Sequence, residues 1–544
     1  MKHILFACYF LWFSFYGFSQ NYYEHSRARW LQKAEMYKPE LIMTEKKPLS
    51  IVEILPGDHA FQQWEVRDLN PVDSLYHLPF RQQKQVVIDF GEHLTGYFSF
   101  SVRTTGKTPD GPLRLKLTFG EVPSEVAVDL DSYTEGLSRA WLQDETVTVM
   151  HVPQTVTLSR RLAFRYVKIE LVGSSPQYDF NIYDLYCKAQ TSVKHAPEKL
   201  PDNTDVVIKA IDRVGLNTLK ECMQTVFEDG PKRDQRLWIG DLYLQSLGNI
   251  YSYKQYDLTK RCLYLLAALS HTNGYLQATV IEKPTPRAQD GQFLFEYALL
   301  FNVCLKDYLE ATGDLETAQD LWPVAKRQLD IIRTCVQANG LMDFEKANRE
   351  WWIFFDWKAD LYKEVALQGF SIFALNESCK LAKLLGKEKE VADLPELAAK
   401  MKRVARKVFY NKDTGLFSGT ANQQISYASQ VWMIISGVAT VKEGQKALTL
   451  LPSIADVCIP ATPYMYHYYI QALIDCKMYR QAKEALVSYW GGMIKKGADT
   501  FWEAYDPDND FISPYGFYPM NSYCHAWSCT PVYFIRKYPA IFQY

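Results

Sequence analysis

The feature that most constrains the fold is a change of hydrophobic period near residues 192–204. Between about Trp64 and Gln190, apolar and polar residues alternate in short runs, which is the pattern of antiparallel strands. From Asp205 onward, apolar residues recur every three or four positions, as in amphipathic helices. The stretch between the two patterns, Lys194 to Asn203, is polar and contains two prolines. The sequence therefore predicts a β domain at residues 20–195 followed by an α domain at residues 196–544.

The first domain is predicted to be an antiparallel β-sandwich. Its clearest strands are the alternating runs at residues 85–91, 96–102, 113–120, 146–150 and 164–171. Residues 22–55 are polar and mixed, with a short helix predicted at residues 22–34. This domain contains no motif typical of catalysis, so packing support for the second domain and glycan binding both remain open as its role.

The second domain is predicted to contain twelve helices, the last of them at residues 522–537. Twelve amphipathic helices can close into a double ring, the (α/α)6 barrel, and an open helical solenoid is the alternative. Three stretches rich in polar and aromatic residues fall at connections between the helices, at 227–241, 349–360 and 497–521. Because long connections crowd one mouth of such a barrel, these stretches predict a single shared site.

The N-terminus has the composition of a secretory signal peptide. Lys2 and His3 precede a nearly continuous apolar run, which small residues follow near residue 19. We therefore predict a signal peptide at residues 1–19 and an exported protein, periplasmic or secreted, with no membrane segment after cleavage. A net charge of −2 without a basic stripe argues against nucleic acid as a partner. The 11 cysteines include no C-x-x-C pair, so no metal or redox site is predicted.

The first of the three stretches is Phe227 to Asp241, which places charged residues around one tryptophan. Asp229-Gly-Pro is a turn signal, and the apolar run that begins at Leu237 restarts a helix. Four charged side chains (Asp229, Arg233, Asp234 and Asp241) therefore lie on a loop that leads into a helix, together with Trp238. A solvated loop of ion pairs is the alternative, since charged residues are mostly exposed.

The other stretches supply a second carboxylate, aromatic walls and a histidine. Glu503 follows Trp502, and a carboxylate beside aromatic rings is suited to proton transfer because desolvation raises its pKa. Asp356 lies among aromatic residues that include Trp352 and Trp357, a composition suited to stacking on a pyranose. His525 could bind a sugar hydroxyl. The alternatives are a capping or salt-bridged Glu503, a buried aromatic segment and a structural histidine.

Motifs for several other chemistries do not occur. The sequence has no phosphate-binding glycine loop before a helix, no H-E-x-x-H and no G-x-S-x-G. What remains is two acidic stretches that are far apart in sequence and are flanked by aromatic residues. Glycoside hydrolysis requires such a pair, with one acid to protonate the leaving oxygen and one carboxylate to activate water or attack carbon.

The chain resembles the α-L-rhamnosidases of glycoside hydrolase family 78. The segment Asp229-Gly-Pro-Lys-Arg-Asp-Gln-Arg-Leu-Trp-Ile-Gly-Asp is similar to the family's acidic signature. Gly497-Ala-Asp-Thr-Phe-Trp-Glu is similar to its Gly-Ala-Thr-Thr-x-Trp-Glu segment. Ser522-Tyr-Cys-His-Ala-Trp-Ser and Phe355-Asp-Trp resemble two further elements. The resemblance covers the helical domain and extends weakly to the β domain through residues 161–169.

This resemblance implies an (α/α)6 catalytic domain, hydrolysis without a metal or other cofactor, and inversion at the anomeric carbon. By position, Asp234 would be the general acid and Glu503 the general base. The residues implied to bind the sugar, or to lie at its rim, are Asp229, Arg233, Trp238, Asp241, Trp352, Asp356, Trp357 and His525.

Two departures from the family pattern matter. The acid position usually holds Glu, and here it holds Asp234, which is one methylene shorter. A shift of one residue would put Gln235 there instead, and an amide cannot act as the acid. The chain also ends just after the last predicted helix, which predicts a compact form without the family's C-terminal β-domain.

The sequence thus predicts an exported inverting exo-glycosidase that removes terminal α-L-rhamnose from glycans or glycosides, with carbohydrate as its partner. Two alternatives remain open at this point. One is a non-catalytic glycan-binding protein on the same scaffold, and the other is an (α/α)6 hydrolase or lyase that acts on another sugar. The sequence does not indicate an oligomeric state.

Overall fold

The computed structural model describes residues 21–544. The signal peptide predicted at residues 1–19 lies outside this range. The first helix, α1 (Glu24–Met36), buries Trp30 and Ala34 in the core of the helical domain. No helix in the described range is long and apolar enough to cross a membrane.

An antiparallel sheet of nine strands follows in the described part of the chain. The strands are β1 (Ile42–Lys46), β2 (Ser50–Pro56), β3 (Trp64–Pro71), β4 (Gln85–Thr105), β5 (Leu113–Gly120), β6 (Asp144–Val149), β7 (Gln154–Thr157), β8 (Leu162–Gly173) and β9 (Asp179–Thr191). The main order is β1-β9-β4-β8-β5-β6, with β2 pairing to both β3 and β4, and β7 pairing to β4. Two short helices, α2 (Phe80–Gln83) and α3 (Pro123–Ala127), lie in the connections.

Strand β4 is the centre of this sheet and is 21 residues long. Its first half pairs with β8 and its second half with β9. Phe98, Phe100 and Val102 alternate into the sheet's own apolar core. At Gly96 the backbone of β9 lies so close to β4 that a side chain has no room, since a Cβ there would lie 2.2 Å from the Lys188 carbonyl oxygen. The alternating runs predicted at residues 85–91, 96–102, 113–120, 146–150 and 164–171 lie in strands to within one residue, and the first two belong to one continuous strand, β4.

The sheet also contains strands that the pattern did not predict. All of β1 except its last residue is exposed, so it carries no alternation of apolar and polar residues. In β9 the period of two is interrupted, because the pairing with β4 shifts register between Ser99 and Ser101. Asp184 in β9 has a φ of 48°, which marks the same irregularity.

The helical domain follows from Val206. Its helices are α4 (Val206–Cys222), α5 (Ile239–Ile250), α6 (Tyr256–Ala268), α7 (Phe295–Thr312), α8 (Leu315–Cys335), α9 (Phe344–Glu350), α10 (Glu364–Leu384), α11 (Leu394–Phe409), α12 (Tyr427–Ile435), α13 (Val441–Leu450), α14 (Pro463–Asp475), α15 (Tyr479–Lys495), α16 (Pro531–Lys537) and α17 (Pro539–Phe542). Five short strands lie in its connections, namely β10 (Leu237–Trp238), β11 (Thr279–Ile281), β12 (Arg287–Ala288), β13 (Tyr410–Asn411) and β14 (Leu416–Phe417).

The helices contact one another in a cyclic order. Helix α5 packs on α7, α7 on α10, α10 on α12 and α12 on α14, and a 3-10 turn at Ala526–Cys529 contacts both α14 and α5. Helices α4, α6, α8, α11, α13 and α15 pack against members of this series. In α4, Gly215 lets α16 come close, because a Cβ there would lie 2.9 Å from Val532 Cγ2.

The last predicted helix is wrong over residues 522–530. Residues 522–525 are not helical, a 3-10 turn follows at Ala526–Cys529, and α16 begins only at Pro531. The physical reason is competition for backbone hydrogen bonds, because this segment bonds to other segments of the chain instead of to itself. The N–H of His525 donates to the carbonyl of Phe501 (2.8 Å), and that of Ala526 donates to the carbonyl of Asp229 (2.7 Å).

Candidate active site

A pocket in the helical domain collects most of the residues singled out from the sequence. It encloses about 380 Å³, and its lining is Asp229, Arg233, Asp234, Trp238, Asp241, Leu294, Tyr297, Trp352, Phe354, Trp357, Glu503, Tyr515, His525 and Trp527. Four larger cavities of the described residues, of about 860 to 1,290 Å³, lie elsewhere and include none of these residues. We consider the small pocket the candidate site, because it brings together both proposed catalytic carboxyl groups and several aromatic rings.

Backbone hydrogen bonds join the separate motifs into one wall. The N–H of Glu503 donates to the carbonyl of Ser522 (2.9 Å), and the N–H of Ala526 donates to that of Asp229. The Ser522 hydroxyl donates to the carbonyl of Arg233 (2.8 Å). Because main-chain groups and the Ser522 hydroxyl make these links, the relative positions of the three motifs are set without the acidic and aromatic side chains that line the pocket.

Arg233 bridges the two carboxyl groups that were predicted to be acid and base. Its Nη2 donates to Oε2 of Glu503 (2.6 Å), and its Nη1 donates to Oδ1 of Asp234 (3.2 Å). Glu503 is almost fully buried, which opposes its ionisation, but the Arg233 charge outweighs burial and lowers the pKa of Glu503 to about 2. Glu503 is therefore ionised at neutral pH.

Asp229 lies beneath this pair with both carboxyl oxygens occupied. Its Oδ2 accepts from the backbone N–H of Asp234 (2.9 Å) and its Oδ1 from that of Arg236 (3.0 Å). Burial, reinforced by the negative charge of Asp234, raises the pKa of Asp229 to about 8. Asp229 thus shapes the loop that presents Asp234 and is protonated at neutral pH.

Asp241 and His525 form a second buried pair. His525 Nε2 lies 3.2 Å from Asp241 Oδ1. Burial opposes protonation of the ring, but the Asp241 and Glu503 carboxylates outweigh it and raise the pKa of His525. Among residues 21–544, no group completes a well-directed hydrogen bond to either ring nitrogen of His525 or to Asp241 Oδ1. These atoms are free to bond hydroxyl groups of a ligand.

Aromatic rings form the remaining walls. Phe354 stacks on Trp527 with ring centroids 5.9 Å apart, and it meets Trp357 edge-on at 4.9 Å. The Trp527 ring lies 4.2 Å from that of His525. Trp352 also lines the pocket but is 41% exposed, so it lies at the rim.

Two residues discussed from the sequence lie outside the lining. The Asp356 carboxylate accepts from Thr462 Oγ1 (2.6 Å) and from the backbone N–H groups of Ala461 (2.8 Å) and Trp357 (2.9 Å). It therefore braces the aromatic segment and does not line the pocket, and its contact with a sugar stays a prediction. Gln235 donates to the carbonyl of Pro231 on its own loop (2.8 Å), so Asp234, and not Gln235, faces the pocket.

Five lining residues were not singled out from the sequence, namely Leu294, Tyr297, Phe354, Tyr515 and Trp527. Trp527 lies inside a quoted motif, and Phe354 and Tyr515 lie in the stretches at 349–360 and 497–521, so the aromatic composition of those segments was the available signal. Leu294 and Tyr297 lie outside all of them, and only the folded chain brings them to the site.

The sheet supports the site with buried charges. Arg161, the residue before β8, donates from both terminal nitrogens to the Glu228 carboxylate, at 2.9 and 2.7 Å. Glu121 and Glu125 lie 3.1 and 2.6 Å from Nζ of Lys232, the residue that precedes Arg233. The loop that carries Asp229 and Asp234 is thus fastened at Glu228 and at Lys232 by side chains of the other domain.

Known proteins match both regions of the chain. Residues 48–189 match the glycosyl hydrolase family 78 α-rhamnosidase N-terminal domain, and residues 203–538 match the bacterial α-L-rhamnosidase six-hairpin glycosidase domain. A rhamnosidase from Klebsiella oxytoca with rhamnose bound is similar at a TM-score of 0.90 and 36% identity, over 94% of this chain and 99% of that chain. No curated protein sequence matches this chain.

More distant solved structures share the fold. The family 78 rhamnosidase of Bacillus sp. GL1 has a TM-score of 0.68 and 21% identity, over 83% of this chain and 46% of that chain. The Streptomyces avermitilis α-L-rhamnosidase complexed with L-rhamnose has a TM-score of 0.64 and 16% identity, over 92% of this chain and 44% of that chain.

The protein is a glycoside hydrolase. It joins an antiparallel sheet to a helical glycosidase domain, and acidic and aromatic residues of that domain meet in one pocket. Both family matches and the 36% identity over nearly the whole chain then identify the family. The chain belongs to glycoside hydrolase family 78, the α-L-rhamnosidases.

Proposed function

We propose that this chain is an inverting exo-α-L-rhamnosidase that releases terminal α-L-rhamnose from glycans or glycosides, with Asp234 as general acid and Glu503 as general base. The observation that carries the proposal is the Arg233 bridge, since one guanidinium group bonds both carboxyl groups within a single pocket. A two-carboxylate hydrolysis requires both groups to reach the same glycosidic linkage.

In the proposed reaction, the Asp234 carboxyl group donates its proton to the glycosidic oxygen as the bond from that oxygen to the anomeric carbon breaks. The aglycone leaves as an alcohol. A water molecule attacks the anomeric carbon from the opposite face, and Glu503 accepts a proton from it. The sugar product has the opposite anomeric configuration, and proton exchange with solvent restores both carboxyl groups. General acid–base assistance of this kind contributes about 10²- to 10⁴-fold to the rate.

The charge state of Glu503 supports its assignment as base. With its pKa lowered to about 2, it is a carboxylate throughout the neutral range and is available to accept a proton. Its Oε2 is engaged by Arg233 Nη2 and by the backbone N–H of Ser522 (3.0 Å), so Oε1 is the oxygen that we assign to water.

The pocket supports recognition of one terminal sugar ring. The pocket is much smaller than the two largest cavities of the described chain, which favours a monosaccharide over an internal segment of a polymer. Asp241 and His525 offer polar atoms for hydroxyl groups, and Trp357 offers an indole N–H that lacks a partner in the described residues. Rhamnose bound to the 36% identical Klebsiella oxytoca protein supports rhamnose as the sugar.

The lyase alternative needs a tyrosine or histidine that can accept a proton. Burial raises the pKa of Tyr515 well above its usual range, so its hydroxyl stays protonated. Burial opposes protonation of His525, but Asp241 and Glu503 outweigh it and raise the pKa of His525, which favours the protonated ring over one that could accept a proton. Hydrolysis with a carboxylate base is therefore the better-supported reaction.

Stereochemistry of the first product is the decisive test. Purified protein is incubated with an aryl α-L-rhamnoside, and the anomeric signals are followed by proton NMR. Early appearance of the β-anomer of rhamnose supports inversion, whereas early α-anomer overturns it. Binding without product supports the non-catalytic alternative, and an absorbing unsaturated product supports the lyase.

The assignment of Glu503 is tested with Glu503→Gln, for which the exposed Glu388→Gln is the matched control. We expect turnover to fall at least about 100-fold in the first variant and to stay unchanged in the second. Near-normal turnover of Glu503→Gln would remove Glu503 from the mechanism.

We further propose that the cyclic series of helices is an (α/α)6 barrel within residues 196–544, that residues 20–195 contain a β-sandwich, and that the protein is exported after cleavage near residue 19. The closure of the helix contacts from α14 back to α5 supports the barrel. Mass spectrometry of the protein expressed with its N-terminus intact tests export. A mature chain that begins at residue 20 is expected, and an intact N-terminus would contradict it.

A further inference from the structure

The loop between Asp506 and Met520 contributes one side chain to the site, Tyr515. Its hydroxyl donates a hydrogen bond to Oε1 of Glu503. Its ring lies over the guanidinium of Arg233, with the guanidinium carbon 4.2 Å from the ring centroid, and meets Trp357 edge-on at 6.0 Å. Tyr515 therefore contacts the proposed base and the cation that is paired with it.

The hydrogen bonds of Glu503 show why this contact matters. Oε2 accepts from Arg233 Nη2 (2.6 Å) and from the Ser522 N–H (3.0 Å), which uses its acceptor capacity. Oε1 accepts from Tyr515 and keeps one further acceptor position. Without Tyr515, hydrogen bonds would hold the Glu503 carboxylate at Oε2 only, and the carboxylate plane could rotate about the Cγ–Cδ bond.

Tyr515 is itself held from two sides. Its N–H donates to Ser513 Oγ (3.2 Å), and the Ser513 hydroxyl donates to Asn521 Oδ1 (2.7 Å). Two residues later, Phe517 packs on Tyr133 of the sheet domain with ring centroids 5.5 Å apart. The loop is therefore braced against a different domain from the one that carries Glu503.

We propose that Tyr515 is a positioning residue, which orients the Glu503 carboxylate so that the free acceptor position of Oε1 faces the attacking water. The proposal rests on the proposed function, because it assigns Tyr515 a role through the general base. The phenol is suited to this role because it remains a hydrogen-bond donor at neutral pH. Its ring also packs on the Arg233 guanidinium and so holds that group against the same carboxylate.

The test is Tyr515→Phe, which removes the hydroxyl and keeps the ring over Arg233. We expect kcat on an aryl α-L-rhamnoside to fall roughly 10- to 100-fold with little change in KM, as for loss of a hydrogen bond to a charged group. The acidic limb of the kcat/KM profile should move to higher pH, because a bond that favours ionised Glu503 is lost. Tyr518→Phe, on the same loop and outside the pocket lining, is the matched control and should behave as wild type.

Several charged or titratable groups near Glu503 affect the pH dependence of kcat/KM. They are Arg233 and Asp234 on the loop before β10, Asp241 in α5, and His525 and Tyr515 on the later loops. Only the Tyr515 hydroxyl changes in the variant. A loss of activity without movement of the acidic limb would show a merely structural role and would overturn the proposal.

A double variant separates the two proposals. If Tyr515 acts through Glu503, adding Tyr515→Phe to Glu503→Gln lowers kcat no further. An equal fold-loss in both backgrounds would mean that Tyr515 acts independently, and it would overturn the positioning role. If Glu503→Gln keeps near-normal turnover, the proposed function fails instead, whatever the Tyr515 variant does.

Discussion

Arg233 and Glu503 form a buried ion pair at the centre of the pocket, with Nη2 2.6 Å from Oε2. Because Nη1 of the same guanidinium also bonds Asp234, the two carboxyl groups are coupled through one cation. The pair joins the loop before α5 to the segment before the last helices, which lie 270 residues apart.

Replacing Arg233 by Met should therefore affect both activity and stability. Glu503 would remain buried without its counter-charge, at a cost of about 3–5 kcal/mol in the free energy of unfolding at neutral pH. The lowered pKa of Glu503 means that its ionisation stabilises the fold above about pH 4.5, and this contribution is lost as the pH falls toward 2. Unfolding measured in denaturant should show a gap between wild type and variant that narrows on acidification.

Arg236→Met is the control for that experiment. Arg236 Nη1 lies 3.9 Å from Asp234 Oδ2, but its hydrogen bond is to Gln289. We expect it to change the free energy of unfolding by less than about 1 kcal/mol. Equal destabilisation by the two variants would contradict the special role of Arg233.

Asp234→Asn should slow hydrolysis according to the leaving group. A general acid matters most where the departing oxygen is basic, so an alkyl rhamnoside should lose about 10²- to 10⁴-fold in kcat. A nitrophenyl rhamnoside, whose leaving group is stable as an anion, should lose much less. Asp234→Glu, which restores the length usual in the family, should keep the proton donor and serves as the conservative control. Equal losses on both substrates with Asp234→Asn would argue against acid catalysis at this position.

Trp352→Ala should weaken binding without slowing the chemical step. The side chain is 41% exposed at the pocket rim, where it can stack on the group next to the terminal sugar. We expect KM for a rhamnose-bearing oligosaccharide to rise about 3- to 10-fold with kcat unchanged, which is the signature of lost uniform binding. A fall in kcat with KM unchanged would place Trp352 nearer to the reaction than its exposure indicates.

Glu296→Gln should stabilise the protein at neutral and alkaline pH. Burial raises the pKa of Glu296 to about 7, and among described residues its Oε2 has no hydrogen-bond partner. Because the pKa of this carboxyl group is raised on folding, the free energy of unfolding of the protein falls as the pH rises from about 4.5 through 7. The amide keeps the acceptor for the Phe354 N–H (2.8 Å) and carries no charge.

The gain from Glu296→Gln should be on the order of 2 kcal/mol above pH 7 and should vanish near pH 4. Thermal unfolding across this range checks it. A gain that does not depend on pH would show that packing, and not ionisation, accounts for the effect.

Arg161→Met should destabilise the contact between the sheet domain and the loop that carries Asp229 and Asp234. The Arg161 guanidinium bonds Glu228 with both terminal nitrogens, and both side chains are buried. Leaving Glu228 unpaired is expected to cost about 3–5 kcal/mol, and adding Glu228→Gln should recover part of this loss. A double-mutant cycle on the free energy of unfolding measures the coupling. Simple additivity of the two single changes would contradict a direct pairing.

Most helices and the main strands could be predicted from local pattern, and the exceptions have specific causes. Residues 522–526 carry a helical pattern, but their backbone groups bond to residues 229 and 501–503. These partners are distant in sequence, so a local pattern cannot reveal that they replace the helical hydrogen bonds. Strand β9 was missed where its register with β4 shifts, since an irregular pairing removes the period of two.

For the site, the motifs already place Asp229, Asp234, Glu503 and His525 as candidates, because residue type and spacing are local properties. The sequence alone determines a β region followed by amphipathic helices, together with the acidic and aromatic residues that a glycosidase needs. Tertiary structure decides that Tyr515 joins them, that Asp356 turns away to Thr462, and that Glu503 is ionised while Asp229 holds a proton. These outcomes depend on burial and on charges brought from distant segments, and both exist only once the chain has folded.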